Sequence, residues 1–141
     1  MKDIHSYWAY LVLALLIFAV INAVIGLIQK KQFTDIDLRI GLFTLIVSHI
    51  QLLIGLGWYF MSPWYQALKD DAATVMGEKA LRLLAVEHPT MMILALVFIT
   101  IGWSKHKKKT TDAAKFKTFV IFYGLGLVFI LSRIPWSNWF N

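Results

Sequence analysis

The run from residue 7 to residue 28, YWAYLVLALLIFAVINAVIGLI, decides how this chain is read. It holds no charged residue and matches the roughly 20 apolar residues that cross a bilayer as a helix. Asn22 and Gly26 carry it smoothly into Gln29, Lys30 and Lys31, and no small-residue cleavage site follows, so the expectation is an uncleaved first span. Working outward, three more apolar runs appear at Ile40–Met61, Leu83–Trp103 and Thr118–Ile134. Over all 141 residues the chain is 59% hydrophobic and 16% charged, with mean hydropathy +0.66, far too apolar for a soluble domain of this size. Short loops between four spans predict an all-α, integral-membrane, up-down-up-down four-helix bundle that forms a single domain over residues 1–141.

Lys and Arg are unevenly shared among the loops. The two loops after spans one and three carry nine, namely Lys30, Lys31, Arg39, Lys105, Lys107, Lys108, Lys109, Lys115 and Lys117. The opposite side carries Lys2, Lys69, Lys79 and Arg82, offset by Asp3, Asp70, Asp71 and Glu78. By the positive-inside rule the basic loops lie in the cytoplasm and both termini outside, which in a bacterial cell means the inner membrane with periplasmic termini. The net charge of +6 then reflects topology and contact with anionic lipid, and the KHKKK run at a helix exit gives no reason to expect nucleic-acid binding. Aromatic residues mark the boundaries, among them Tyr7, Trp8, Trp58, Tyr59, Trp64, Trp103, Trp136, Trp139 and Phe140. Pro63 stops span two, and the outer loop after it reads as a short amphipathic segment on the membrane. Thr34 or Asp35, and Thr111 or Asp112, offer helix caps before spans two and four. In span two, Gly41, Thr44, Ser48, Gln51 and Gly55 recur at steps of three and four, a small and polar stripe that faces other helices.

With no cysteine, disulfides, thiolate metal sites and thiol catalysis within the chain are excluded. No nucleophile sits beside an evident base, so hydrolysis has no constellation to rest on. What stands out is the short set of polar groups at membrane depth: His49, Glu87, His88 and Arg133, with His5 near the outer end of span one and Gln51 beside His49. His106, in the basic loop, reads as solvated. Histidines on facing helices of a membrane bundle can ligate haem iron axially, and Ala95, Gly55 and Gly57 leave room for a flat macrocycle. Counted along the helices, His88 lies about 8 Å and His49 about 18 Å from the outer boundary, an awkward offset for one upright haem, while His5 and His88 are offset in the opposite sense. The pair therefore stays open at this point. Arg133 has two readings: an ion-pair partner for Glu87, or a cation for a haem propionate. Glu87 and Gln51 are the candidates for a quinone-coupled proton path. Met91 and Met92 could join His49 and His88 as soft copper ligands, or fill space.

The stretches HSYWAYLVLALL, SHIQLLIGLGWYF, VEHPTMMILALVFITIGWSK and SRIPWSNWF resemble a family of short bacterial four-span membrane proteins labelled cytochrome b, over nearly the whole chain. The matching positions are His5; His49 with Gln51; Glu87 and His88 with Met91 and Met92; and Ile134, Pro135 and Trp136. The resemblance implies b-type haem bound by bundle histidines and electron transfer in or across the membrane. This chain departs from the pattern by lacking an arginine soon after its first histidine, where Tyr7, Trp8 and Ala9 stand, and by placing Arg133 where a small residue is expected. The expectation is thus a b-type cytochrome-like protein with haem between two of His5, His49 and His88, coupled to a quinone or a redox partner. The rivals are a non-catalytic subunit of a larger membrane complex and a copper-handling membrane protein; whether the protein is an enzyme stays open.

Overall fold

A computed structural model describes residues 2–139, and among these every regular element is helical. Four helices are long and apolar enough to cross a membrane: α1 (Lys2–Ile28), α2 (Asp35–Phe60), the continuous segment Lys79–His106, and α7 (Asp112–Ser132). The third begins as α5 (Lys79–Arg82), passes through a π-helical stretch (Leu83–Glu87) and continues as α6 (His88–His106). Between α2 and α5 lie α3 (Pro63–Asp70) and α4 (Ala72–Gly77), and the chain closes with α8 (Trp136–Trp139). Phe140, one of the boundary aromatics, lies outside the described residues. The long helices alternate in direction, with α1 against α2 and α7, and α6 against α7 and α2, which is the expected four-helix bundle. Their outward faces carry Phe18, Ile21, Phe43, Leu53, Val97 and Val128, as befits a multi-pass protein whose surroundings are lipid.

The spans extend beyond the apolar runs because polar residues at a membrane boundary are still good helix formers. Lys2 to Ser6 contain no breaker, and Asp3 sits in the first turn where the helix dipole favours a carboxylate, so α1 starts at Lys2 and His5 lies inside it. The third span likewise starts at Lys79 rather than Leu83. The fourth stops at Ser132, short of Ile134, because Pro135 disfavours helical backbone at the residue before it. The caps resolve to threonines. The Thr34 amide donates to Asp37 Oδ2 at 2.8 Å, and Thr111 Oγ accepts from the Ala114 amide at 3.1 Å. The loop between the second and third spans folds as two short helices: Ser62 caps α3 with Pro63 in its first turn, and Asp71 caps α4 by accepting from the Thr74 amide at 3.2 Å and hydroxyl at 2.5 Å. Those two bonds hold the Asp71 carboxyl below its ordinary range.

At the lysine-rich end the bundle is closed by rings set against glycines. A Cβ on Gly26 would fall 2.5 Å from the Phe116 ring, and one on Gly41 would fall 2.7 Å from Phe119. Tyr123 is fully buried there and its hydroxyl donates to the Gly41 carbonyl at 2.7 Å. His106, expected to be solvated, is instead 1% exposed. Phe33 of the α1–α2 turn folds over it, with Trp103 and Phe119 at ring centroid distances of 4.6 and 4.5 Å, and its Nδ1 meets the Trp103 carbonyl at 2.5 Å. One satisfied ring nitrogen and three aromatic neighbours let an imidazole sit where four lysines follow in sequence or nearby. On α2 the buried positions are Gly41, Thr44 and Ser48, so the small and polar stripe does face the other helices.

Candidate functional site: a two-histidine cavity

At the end opposite the lysines the four long helices part around a cavity of about 450 Å³. His5 enters from α1 and His88 from the start of α6, with Leu13, Leu52, Met92, Leu96 and Ile130 among the apolar walls. Trp58, Trp64 and Trp139 line it as well, and Lys2, Ser137 and Asn138 bring polar groups to its exposed margin.

The two imidazoles come together in the lining of this cavity, ring centroids 6.3 Å apart and planes 89° to one another. A metal ion held head-on between two imidazole nitrogens, at about 2 Å from each, puts the ring centres roughly 6 Å apart. Among the described residues no group of three or more His, Asp or Glu side chains comes together as a metal cage. A bare ion ordinarily takes more ligands than two from a protein, whereas an iron whose four equatorial positions are filled by a macrocycle needs only an axial pair.

The local sequence shapes His88's position. Pro89 has no N–H to give the Ala85 carbonyl four residues back, and the helix absorbs the gap as a π-helical stretch in which the His88 amide bonds the Leu83 carbonyl. The Ala85 carbonyl is taken by the Tyr59 hydroxyl of α2 at 2.6 Å. The His88 ring then points Nδ1 at the Arg133 carbonyl, 2.8 Å away. A carbonyl can only accept, so Nδ1 carries the hydrogen and Nε2 is left with its lone pair for a ligand, the arrangement that metal-bound histidines use.

His5 is placed by α2. The Gln51 Nε2 donates to the His5 carbonyl at 2.8 Å, and a Cβ on Gly55 would lie 3.1 Å from His5 Cε1 and 3.4 Å from Nδ1. Glycine at 55 is therefore what lets the Cε1–Nδ1 edge of the ring approach α2 so closely, and Trp58 borders it at 5.2 Å between centroids. Three buried polar atoms, His5 Nδ1, Ser48 Oγ and Gln51 Oε1, have no hydrogen-bond partner within the protein, and all three belong to residues lining the cavity. Leaving such an atom unpaired costs about 1–3 kcal/mol, so their gathering in one place points to something that the cavity takes in.

Of the three histidines read as possible ligands, the structure brings His5 and His88 together and leaves His49 apart. His49 sits on the outward side of α2, with Nδ1 at 2.8 Å from the Leu45 carbonyl and Nε2 at 3.4 Å from Thr100 Oγ. Glu87 is paired with Arg82 at 3.1 Å and with Arg133 at 3.7 Å, so the ion-pair geometry for Arg133 is present. Arg133 reaches the cavity only through its main chain, by way of His88, and Lys2 is the cationic side chain that lines it. Met92 lines the cavity and Met91 does not. Sequence reasoning passed over Tyr59 and Lys2. The signal for the first was the proline after His88, which leaves a carbonyl needing a donor from elsewhere; for the second there was none beyond its nearness to His5.

No family model, curated protein or solved structure matches this chain.

Proposed function

We propose that this chain is a b-type membrane cytochrome in which His5 and His88 are the axial ligands of one haem, and that it moves single electrons within the membrane. The observation that carries the reading is the pair of imidazoles brought together at 6.3 Å on the cavity wall, with no cluster of three His, Asp or Glu side chains among the described residues. The cavity volume falls within the 300–1,000 Å³ usual for cofactor pockets. When bound, the haem supplies the one-electron chemistry. The protein's own residues hold and shelter it: the Arg133 carbonyl fixes the His88 tautomer and makes its free nitrogen a better donor, Gly55 seats the His5 ring, Leu and Met side chains exclude water, and Lys2 with Ser137 and Asn138 meets the acidic edge. The lysine-rich end is then cytoplasmic and the cavity lies near the outer face, where a quinol in the bilayer or a partner redox protein exchanges the electron.

The test is a spectrum. Protein purified in detergent should show a Soret band that sharpens and shifts on reduction with dithionite. His5→Ala and His88→Ala should each abolish it, and His49→Ala should keep it. A folded but colourless wild-type protein would overturn the proposal. Metal analysis of that sample would then separate a copper-handling role from a purely structural one.

A further inference from the structure

Two of the three unpartnered atoms in the cavity are complementary. The His5 ring sets its Cε1 and Nδ1 atoms nearest Gly55 on α2, so that with Nδ1 held there Nε2 is the nitrogen left for a ligand. Once Nε2 binds a metal, the neutral ring carries its hydrogen on Nδ1, a donor in need of an acceptor. Gln51 supplies one. Its NH2 group must point at the His5 carbonyl, 2.8 Å away, because a carbonyl cannot donate, and its Oε1 is thereby left buried and unpaired. Gln51 lies one helical turn from Gly55, so donor and acceptor belong to the same short section of the α1–α2 seam.

We infer that Gln51 is the positioning residue of the His5 ligand, its amide oxygen accepting the His5 Nδ1 hydrogen when haem is bound. One side chain then holds both the main chain and the ring of His5. The inference rests on the haem reading above and gives it an asymmetry. His88 is anchored by a main-chain carbonyl that no substitution of a side chain can alter, whereas the electron-donating strength of His5 is set by the residue at 51. The more negative the acceptor, the more the ring resembles imidazolate and the more it favours ferric over ferrous iron.

The experiment is a redox titration of the detergent-purified, haem-loaded protein with two variants. Gln51→Leu removes both bonds, and Gln51→Glu keeps an acceptor, now charged, but cannot donate to the His5 carbonyl. At a fixed ambient potential Gln51→Leu should raise the ferrous-to-ferric ratio about tenfold, a shift of about +59 mV for one electron, and weaken haem retention by about 10–100-fold. Gln51→Glu should move the ratio the opposite way while retaining haem. If both variants shift in the same direction, or neither shifts, with the Soret band intact, Gln51 merely holds the His5 main chain; the inference fails and the haem reading stands. If Gln51→Leu loses haem altogether, Gln51→Glu decides alone: a retained haem of lowered potential upholds the role, and an unshifted or colourless variant overturns it. A colourless wild-type protein would instead remove the haem reading itself.

Discussion

Replacing Tyr59 with Phe deletes one oxygen atom and tests how the third span is built around His88. The Ala85 carbonyl is in a residue only 2% exposed, and in helical register it would accept the amide of residue 89, which is a proline. The Tyr59 hydroxyl stands in for that amide at 2.6 Å. In Tyr59→Phe the carbonyl of this buried residue loses its hydroxyl donor, which costs about 1–3 kcal/mol. At 1.4 kcal/mol per factor of ten, the folded population falls by roughly 5- to 150-fold relative to the unfolded one. A second background makes the argument sharper. Pro89→Ala restores an N–H at position 89, so the same Tyr59→Phe change should then cost under about 0.5 kcal/mol, leaving a coupling energy of about 0.5–3 kcal/mol between the two sites. Reversible unfolding in mixed micelles of the four proteins in the cycle measures it. Equal costs in both backgrounds would refute the idea that the tyrosine answers for the proline.

Other outcomes follow from particular contacts. Gly26→Val should destabilise the bundle by about 1–3 kcal/mol in the same unfolding assay, since its Cβ would fall 2.5 Å from the Phe116 ring, whereas Gly124→Ala, which meets nothing within 4 Å, should be neutral or slightly stabilising. On the haem proposal, Lys2→Ala should loosen haem several-fold in a competition with apomyoglobin, and Arg133→Ala should leave retention nearly unchanged, because its guanidinium pairs with Glu87 and its carbonyl survives the substitution. Near the surface, Asp71 is more acidic in the fold than its ordinary value of 3.8, so the cap it gives α4 is fully present above that pH and is lost as pH falls through the lower folded value. The Thr74 amide proton shift should report that loss on acidification, and Asp71→Ala should show the uncapped shift at every pH.

The bundle itself was legible because 20-residue apolar periodicity is a property of composition along the chain, and loops short enough to force antiparallel neighbours leave little topological choice. Thr34 and Thr111 were visible as caps for the same local reason. The site was legible only as a set of residue types. His5 was undervalued because the apolar run begins at Tyr7, while the helix begins at Lys2; hydropathy marks where lipid begins, not where backbone hydrogen bonding does. The pairing of His88 with His5 instead of His49 depends on a π-helical stretch and the rotation it imposes, a three-dimensional consequence of Pro89 that no count of residues conveys. His106 misled because neighbouring lysines speak for exposure, while the ring that buries it, Phe33, comes from a loop more than seventy residues away.

The two ends of the bundle have different obligations. Gly26 and Gly41, with the rings seated on them, close the lysine-rich half with the chain's own side chains. The histidine half carries every one of the buried polar atoms that the described residues leave unsatisfied. On the haem proposal, the packing of one end thus does not depend on the loading of the other. On the same proposal, a cell starved of cofactor would hold a stock of folded, inserted protein ready for capture, and the supply of cofactor, not the making of the chain, would set how much becomes active.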